Sequence, residues 1–205
     1  MIGIVDYGMG NLRSVEKALN ALGESALLIT DAAALSDVDK LIVPGVGAFG
    51  DAMRELNARN LVKPLQDYAG AGKPLLGICL GMQAFFESSE EAPGVEGLGL
   101  LAGTVRRFDL AGMKVPHMGW NQAMSRNKAR LMSGLSGEKS GSDPTVYFVH
   151  SYYVCPANNS AVAAVTDYGI SFASAVEEGN VMGTQFHPEK SQSAGLALLK
   201  NFIDL

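Results

Sequence analysis

The sequence predicts an α/β fold: a central, mostly parallel β-sheet with helices on both faces and an antiparallel extension. Before residue 87, four short apolar runs alternate with stretches whose apolar residues recur every three or four positions. Such alternation of strand and helix signals is typical of a parallel sheet. After residue 87, the apolar runs are closely spaced and separated by turn residues, which indicates an antiparallel or mixed extension. The 205 residues suffice for one domain, 1–205, with a sizeable core.

The first half of the chain repeats a strand, a loop and a helix. Pro44 and its neighbouring glycines end the third strand, and Gly23 is placed to cap the first helix. Because ligands bind at the carboxyl ends of the strands in open parallel sheets, we expect the functional site at this edge. The predicted strands are 2–5, 26–29, 40–43 and 74–78, and the predicted helices are 12–22, 49–58, 61–68 and 80–86.

The second half of the chain contains short β-like runs and one final helix. Residues 125–144 are polar and predict surface loops with one short apolar contact. Leu196, Leu199 and Phe202 have helical spacing near the end of the chain. The predicted strands are 103–108, 145–149, 161–166, 173–177 and one that begins at Val181.

Composition excludes several classes of protein. The apolar fraction of 47% and the charged fraction of 18% are typical of a globular chain, and the net charge of −5 argues against nucleic-acid binding. Two cysteines at unrelated positions form neither a disulfide framework nor a metal-ligand cluster, and no segment predicts a signal peptide or a membrane span. We therefore expect a cytoplasmic protein without a metal or cofactor. The glycines at 8 and 10 resemble a dinucleotide fingerprint only incompletely, and a tight turn explains them equally well.

Cys79 lies in the pattern Gly77-x-Cys-x-Gly81, between a predicted strand and a predicted helix. This pattern is the thiol form of the nucleophile elbow, a sharp turn that holds a reactive side chain above the sheet. A helix N-terminus also favours the thiolate form. The alternative is a buried structural cysteine, which is the commoner role of free cysteine and the one we assign to Cys155.

His187 and Glu189 follow another predicted strand near the end of the chain. A thiol nucleophile needs a base that also protonates the leaving group, and histidine has a suitable pKa for both. Glu189 can orient the imidazole, and Pro188 between them has a fixed φ. Either residue alone would indicate an ordinary surface loop, but the cysteine pattern favours a Cys79–His187–Glu189 triad.

A tetrahedral intermediate also requires an oxyanion hole. Backbone N–H groups usually supply it, one of them from the residue after the nucleophile, here Leu80. The loop containing Val46 and Gly47 can supply the second donor, because its glycines allow the backbone to rotate. In isolation the same loop would indicate a plain turn.

The stretches Gly77-Ile-Cys-Leu-Gly-Met-Gln83 and Phe186-His-Pro-Glu189 resemble the class I (triad) glutamine amidotransferases. Five further stretches resemble the branch of this family that serves histidine biosynthesis, in which Met82 stands where sister branches typically carry histidine. The match spans nearly the whole chain except 125–144. The five stretches are 6–11, 44–50, 116–121, 147–152 and 185–191.

The resemblance implies a flavodoxin-like fold and a glutaminase activity. Cys79 would attack the side-chain amide of glutamine, and water would hydrolyse the resulting γ-glutamyl thioester to glutamate. It also implies glutamine binding by Gln83, Ser151, Tyr152 and Glu91, although spacing alone does not choose between Glu91 and the adjacent Glu90.

In this branch, ammonia passes to a separate (β/α)8-barrel cyclase subunit in a heterodimer. The cyclase forms imidazole glycerol phosphate and an aminoimidazole carboxamide ribonucleotide. The resemblance places Asn11, Trp120 and Lys190 toward the partner, whereas ordinary packing or surface is the alternative for each. The rival functions are the glutaminase subunit of another amidotransferase, a stand-alone γ-glutamyl cysteine hydrolase, and a regulatory protein that has lost catalysis.

Overall fold

The computed structural model describes residues 1–135 and 143–205, and in this part of the chain it contains thirteen strands and five α-helices. The strands are β1 (Ile2–Val5), β2 (Ala26–Ile29), β3 (Lys40–Gly45), β4 (Leu75–Cys79), β5 (Ser88–Ser89), β6 (Gly103–Arg107), β7 (His117–Gln122), β8 (Met124–Ser125), β9 (Thr145–His150), β10 (Tyr152–Pro156), β11 (Val162–Asp167), β12 (Ser171–Glu178) and β13 (Val181–Thr184). The α-helices are α1 (Leu12–Ala21), α2 (Phe49–Ala58), α3 (Val62–Gly70), α4 (Leu80–Gln83) and α5 (Gln192–Ile203), and 3-10 turns cover Ala33–Asp37, Asn159–Ala161 and Pro188–Lys190.

Five parallel strands form the part of the sheet that carries the site, in the order β2-β1-β3-β4-β13. In the register of these strands, Gly45 of β3 lies beside Cys79 of β4, and Ile78 of β4 lies beside Thr184 of β13. The carboxyl ends of β3, β4 and β13 are therefore adjacent. The predicted nucleophile, Cys79, is the last residue of β4, and the segments after β3 and β13 hold the predicted oxyanion loop and base.

Helices cover both faces of this sheet. Along β3, Leu41 and Val43 pack in the hydrophobic cluster that includes residues of α2 and α3, whereas Ile42 between them packs with residues of α1 and α5. All three side chains are fully buried. Because burial of one such side chain stabilises a fold by about 1.5–3 kcal/mol, the two clusters hold the strand ends in place. The alternation also explains why the strands are continuous apolar runs.

The remaining strands form the predicted extension. β12 pairs antiparallel with β13, and the sheet continues through β10 and β6 to β5, while β11 pairs with β12 and β8 pairs with β11. β5 and β6 pair parallel, so the extension is mixed. The predicted α/β class, with a mostly parallel core and helices on both faces, is confirmed.

The helix predicted over 80–86 is shorter than expected, because α4 ends at Gln83. The carbonyl oxygens of Ala84 and Phe85 accept hydrogen bonds from the backbone N–H groups of Leu98 and Leu100. These tertiary bonds replace the next helical turn. They bring the glycine-rich segment around Leu98 against the helix end.

Strand β7 was not predicted from the sequence. It pairs antiparallel with β9 in a separate two-stranded sheet. Its burial pattern is the reverse of that of an ordinary strand, since the polar His117 is buried while the apolar Met118 and Trp120 are exposed. A pattern search for apolar residues on the inner face therefore misses this strand.

The predicted loops over 125–144 are only partly described. Leu131 and Met132 are buried in the hydrophobic cluster that includes residues of α5, which is the short apolar contact that was expected. Positions 136–142 of this segment lie outside the described residues.

Among the described helices, none has the length and apolar character that a membrane span requires.

Candidate active site

Cys79 ends β4 in a backbone conformation that residues with a side chain rarely adopt. Its φ is 55° and its ψ is −112°, a strained geometry that the surrounding structure must enforce. A Cβ atom at position 81 would lie 1.8 Å from the carbonyl oxygen of Val43, and one at position 77 would lie 2.6 Å from the backbone of Met82. Only glycine fits at both positions, so the predicted strand, sharp turn and helix are present.

His187 and Glu189 form a buried pair directly after β13. Nδ1 of His187 lies 2.9 Å from Oε1 of Glu189, and the two side chains are 2% and 1% exposed. Pro188 is the first residue of a 3-10 turn that brings the two side chains together. Ser191, which was not predicted as a site residue, fixes this turn. Its hydroxyl donates to the carbonyl oxygen of His187 at 2.6 Å and accepts from the backbone N–H of Tyr147 at 3.0 Å.

The second ring nitrogen of His187 is directed to the nucleophile. Nε2 makes no well-aligned hydrogen bond among the described residues, as is common for a catalytic nitrogen before substrate binds. Burial alone would lower the pKa of His187, but interaction with the nearby Cys79 and with the hydrogen-bonded Glu189 carboxylate outweighs burial and raises the pKa from 6.5 to about 10. The site therefore favours a protonated imidazole beside the sulfur.

A cleft of about 290 Å³ opens above these residues. This volume is at the lower end of small-molecule pockets, which suits a small substrate. Nine of the predicted site residues line it, together with three that were not predicted as site residues. The lining residues are Val46, Gly47, Cys79, Leu80, Gln83, Glu91, Pro116, Val149, His150, Ser151, Tyr152 and His187.

The predicted oxyanion loop borders the nucleophile. It follows Gly45, which pairs with Cys79 in the sheet, and a Cβ atom at position 45 would lie 2.6 Å from the backbone nitrogen of Gly81. The loop can approach the elbow this closely only because position 45 lacks a side chain. Gly47 has a φ of 103°, in the region that favours glycine. Val46, Gly47 and Leu80 thus face the same space as the sulfur.

The family model for glutamine amidotransferase class-I matches residues 3–205. The chain belongs to the class I glutamine amidotransferase family. Curated relatives agree: the chain is 51% identical over 212 residues to the imidazole glycerol phosphate synthase subunit HisH of Syntrophotalea carbinolica, with 100% of each chain covered. It is 50% identical over 200 residues to the HisH subunit of Aquifex aeolicus, with 97% of this chain and 94% of the relative covered. These findings confirm the predicted family, branch and enzyme class.

Two solved structures share the fold. One glutamine amidotransferase crystal structure matches with a TM-score of 0.76 and 20% identity over 98% of both chains. PurLQS from Thermotoga maritima matches with a TM-score of 0.76 and 19% identity over 99% of this chain and 97% of the other. At these identities the likeness concerns the fold alone.

The glutamine-binding residues that family resemblance predicts all line the cleft, but two of them already have protein partners. The amide nitrogen of Gln83 donates to the carbonyl oxygen of Tyr152 at 3.1 Å and to Oε1 of Gln185 at 3.0 Å. Oε2 of Glu91 accepts from the first backbone N–H of α2, that of Phe49, at 2.8 Å. Gln83 therefore holds the first residue of β10, and Glu91 holds the N-terminus of α2, which follows the predicted oxyanion loop.

Geometry separates Glu91 from its neighbour Glu90. Glu91 lines the amidotransferase cleft, whereas Glu90 accepts from the backbone N–H of Arg107 at 2.8 Å and faces a different hollow beside β6. The choice of Glu91 from the resemblance agrees with this placement. Spacing could not decide it because the two residues are adjacent.

Two of the predicted partner-face residues form one surface cluster, and the third, Asn11, lies at the start of α1. Trp120 is 49% exposed, so it is not a core residue. The centres of the Trp120 and Tyr147 rings lie 5.9 Å apart in an edge-to-face arrangement, and the ammonium group of Lys190 lies 5.8 Å from the centre of the Tyr147 ring. Asn11 precedes α1 and accepts a hydrogen bond from the Ser14 hydroxyl at 2.9 Å.

Two residues beside the nucleophile were not predicted. The amide nitrogen of Gln185 lies 3.7 Å from the sulfur of Cys79, and both side chains are buried. The hydroxyl of Tyr7 is buried and has no hydrogen-bond partner among the described residues. Burial, reinforced by the charge of Cys79, raises the pKa of Tyr7 well above 10.

In the described part of the chain, no group of histidine, cysteine or acidic residues has an arrangement that could hold a metal ion.

Proposed function

We propose that this chain is the glutaminase subunit of an imidazole glycerol phosphate synthase and supplies ammonia for histidine biosynthesis. The observation that carries the proposal is that Cys79, on its strained turn, and His187, from the buried His187–Glu189 pair, line the same cleft at the ends of two adjacent strands. The identity of about half of all residues to curated HisH subunits, over the whole chain, supports the assignment to this synthase.

The first half of the reaction forms a thioester. The sulfur of Cys79 attacks the side-chain carbonyl carbon of glutamine, and its proton resides on His187, whose pKa of about 10 favours the charged form. As the C–N bond breaks, the imidazolium gives this proton to the departing amine, so that ammonia leaves and a γ-glutamyl thioester remains. Glu189 stabilises the charged ring and directs its free nitrogen toward the sulfur.

The second half of the reaction restores the thiol. Water attacks the thioester carbon, His187 takes one proton from it, and the C–S bond breaks to release glutamate. Both halves pass through a tetrahedral oxyanion. We propose that the N–H of Leu80 and a backbone N–H of the Val46–Gly47 loop stabilise it, since these residues line the cleft with Cys79. The loss of one such donor typically costs about 3 kcal/mol. A Val46–Gly47 peptide that rotates would allow the partner to switch this site on.

Ammonia would pass to a cyclase partner, which we propose to be a (β/α)8-barrel subunit in a heterodimer with this chain. The exposed Trp120 and Lys190 form a surface cluster with Tyr147. We propose that this cluster and Asn11 form the contact face for the partner. We also propose that residues 1–205 fold as one domain and act in the cytoplasm.

A mixing experiment tests this function. The purified chain is combined with a (β/α)8-barrel cyclase, and glutamate production is measured with and without the phosphoribosyl nucleotide substrate of the cyclase. We expect a 1:1 complex in which glutamine hydrolysis rises at least tenfold when the nucleotide is bound. A lone chain that hydrolyses glutamine as fast as the complex would identify a stand-alone hydrolase. A complex without glutaminase activity would identify a regulatory protein that has lost catalysis.

A further inference from the structure

Gln185 is a buried residue that reaches the nucleophile from behind the cleft. It follows β13, its backbone N–H donates to the carbonyl oxygen of Ser174 at 2.8 Å, and its side chain is fully buried. Its amide nitrogen lies 3.7 Å from the sulfur of Cys79, within hydrogen-bond distance for sulfur. Gln185 is not among the residues that line the cleft. Its contact is therefore with the nucleophile.

The orientation of the Gln185 amide follows from its other neighbour. The carbonyl oxygen of Tyr152 can only accept, so the group of Gln83 that faces it at 3.1 Å must be the amide nitrogen. The same nitrogen lies 3.0 Å from the Gln185 side chain, which must present its oxygen there. The nitrogen of Gln185 is then left to face the sulfur. The reverse orientation would place two NH2 groups against each other.

Two buried histidines fix the far end of this arrangement. Nδ1 of His150 donates to the carbonyl oxygen of Tyr152 at 2.7 Å, so Nε2 of the neutral ring accepts from Nδ1 of His117 at 3.0 Å. Nε2 of His117 in turn accepts from the amide of Asn121 at 3.3 Å. Every donor in this chain of contacts has an acceptor. The Tyr152 carbonyl, and through Gln83 the amide of Gln185, therefore has one favoured position.

We propose that Gln185 is a further catalytic residue, whose amide N–H donates a hydrogen bond to the sulfur of Cys79 and stabilises its negative charge. A hydrogen bond to the charged form of an acid favours that form. The same contact would assist thioester hydrolysis, because the sulfur regains negative charge as the C–S bond breaks. The other titratable groups that act on Cys79 are His187, after β13, and Tyr7, after β1. The proposal rests on the proposed role of Cys79 as the nucleophile.

The test measures the pH dependence of Cys79 alkylation in the full chain and in the variant Gln185→Met, which keeps the side-chain length but cannot donate. Iodoacetamide is the probe, and peptide mass spectrometry follows Cys79 and Cys155 separately. We expect the alkylation midpoint of Cys79 to rise by about one pH unit, which is about a tenfold change in the thiolate equilibrium. Cys155 serves as an internal reference, and its profile should stay the same.

Kinetics give a second readout. In the complex with the cyclase, Gln185→Met should lower kcat for glutamine by about tenfold with little change in KM, since Gln185 does not line the cleft. Gln66→Leu is the matched control, because the amide of Gln66 also donates one partly buried bond, to the carbonyl oxygen of Leu98 at 2.9 Å. Synthesis from added ammonium should be unaffected in both variants.

An unchanged Cys79 midpoint in Gln185→Met would overturn the proposal, as would an equal shift of the Cys155 profile. Gln185→Leu provides the same test if the methionine variant does not fold. Alkylation requires no turnover of glutamine. A chain without glutaminase activity would therefore count against the proposed function, while the alkylation profiles would still decide the role of Gln185.

Discussion

Two buried histidine sites border the same cleft, and their ionisation is shifted in opposite directions. At the end of β13, interactions with Cys79 and Glu189 outweigh burial and raise the pKa of His187 to about 10. In the β7–β9 sheet, burial lowers the pKa of His117 to about 4 and, together with the neighbouring histidines, that of His150 to about 3. His150 lines the cleft as His187 does, so position does not distinguish them.

The difference lies in what each ring contacts. His187 uses one nitrogen for the Glu189 carboxylate and keeps the other for the sulfur, so it can carry a charge and transfer a proton. Both nitrogens of His150 are engaged, one by the Tyr152 carbonyl and the other by His117. A second proton on either ring of that pair would place two N–H groups against each other. The first site is therefore suited to catalysis, and the second to holding Tyr152, the first residue of β10, in place.

The largest contrast should appear in turnover. Replacement of His187 by glutamine removes the proton carrier, and we expect the rate of glutamine hydrolysis in the cyclase complex to fall by about 10³-fold. His150→Gln only loosens the start of β10, because it removes the hydrogen bond to the carbonyl oxygen of Tyr152. We expect it to lower kcat/KM by about tenfold or less, mainly through KM.

Steady-state glutamate production by both variants measures this contrast. Circular dichroism and thermal unfolding should show that each variant is folded. Equal losses of kcat in the two variants would mean that the relative roles assigned to the two sites are wrong.

A smaller contrast should appear in stability. The unfolded chain binds protons at its histidines near pH 6.5, while folded His117 and His150 resist protonation down to about pH 4 and 3. The pair therefore contributes stability at neutral pH that is lost progressively below pH 6.5. His187 has the opposite sign, because its raised pKa contributes stability below pH 6.5 that is lost as the pH rises toward 10.

Melting temperatures from pH 4.5 to 10 measure how stability changes with pH on the acid side and on the alkaline side. His117→Gln should reduce the fall in Tm on acidification by roughly 5 °C, whereas His187→Gln should flatten the alkaline side only. The two variants are controls for each other. If His117→Gln left the fall in Tm on acidification unchanged, this would contradict the conclusion that His117 and His150 form a neutral pair.

The sequence was sufficient to predict the elements that depend on local patterns. The apolar runs located β1 to β4, because strands buried on both faces are continuous in sequence. Cys79 was predictable because the crowded turn requires glycine at 77 and 81, and these two glycines are visible in the sequence. His187 and Glu189 were predictable because their spacing is local and their chemistry complements a thiol.

What the sequence did not indicate depends on long-range contacts. Gln185 reaches Cys79 across 106 positions, and only the register of β4 and β13 brings them together. Strand β7 was missed because it buries a histidine and exposes Met118 and Trp120. The second role of Glu91, as an acceptor for the start of α2, likewise follows from the fold and not from its neighbours in sequence.

In the proposed function, attack by the sulfur of Cys79 on glutamine releases ammonia for a partner. The most direct test is Cys79→Ala in the complex with the cyclase, with synthesis of imidazole glycerol phosphate measured from glutamine and from added ammonium salt. We predict that synthesis from glutamine is lost by about 10³-fold or more, while synthesis from ammonium stays within about twofold of the unmodified complex. Full glutamine-dependent synthesis by the variant would contradict the account.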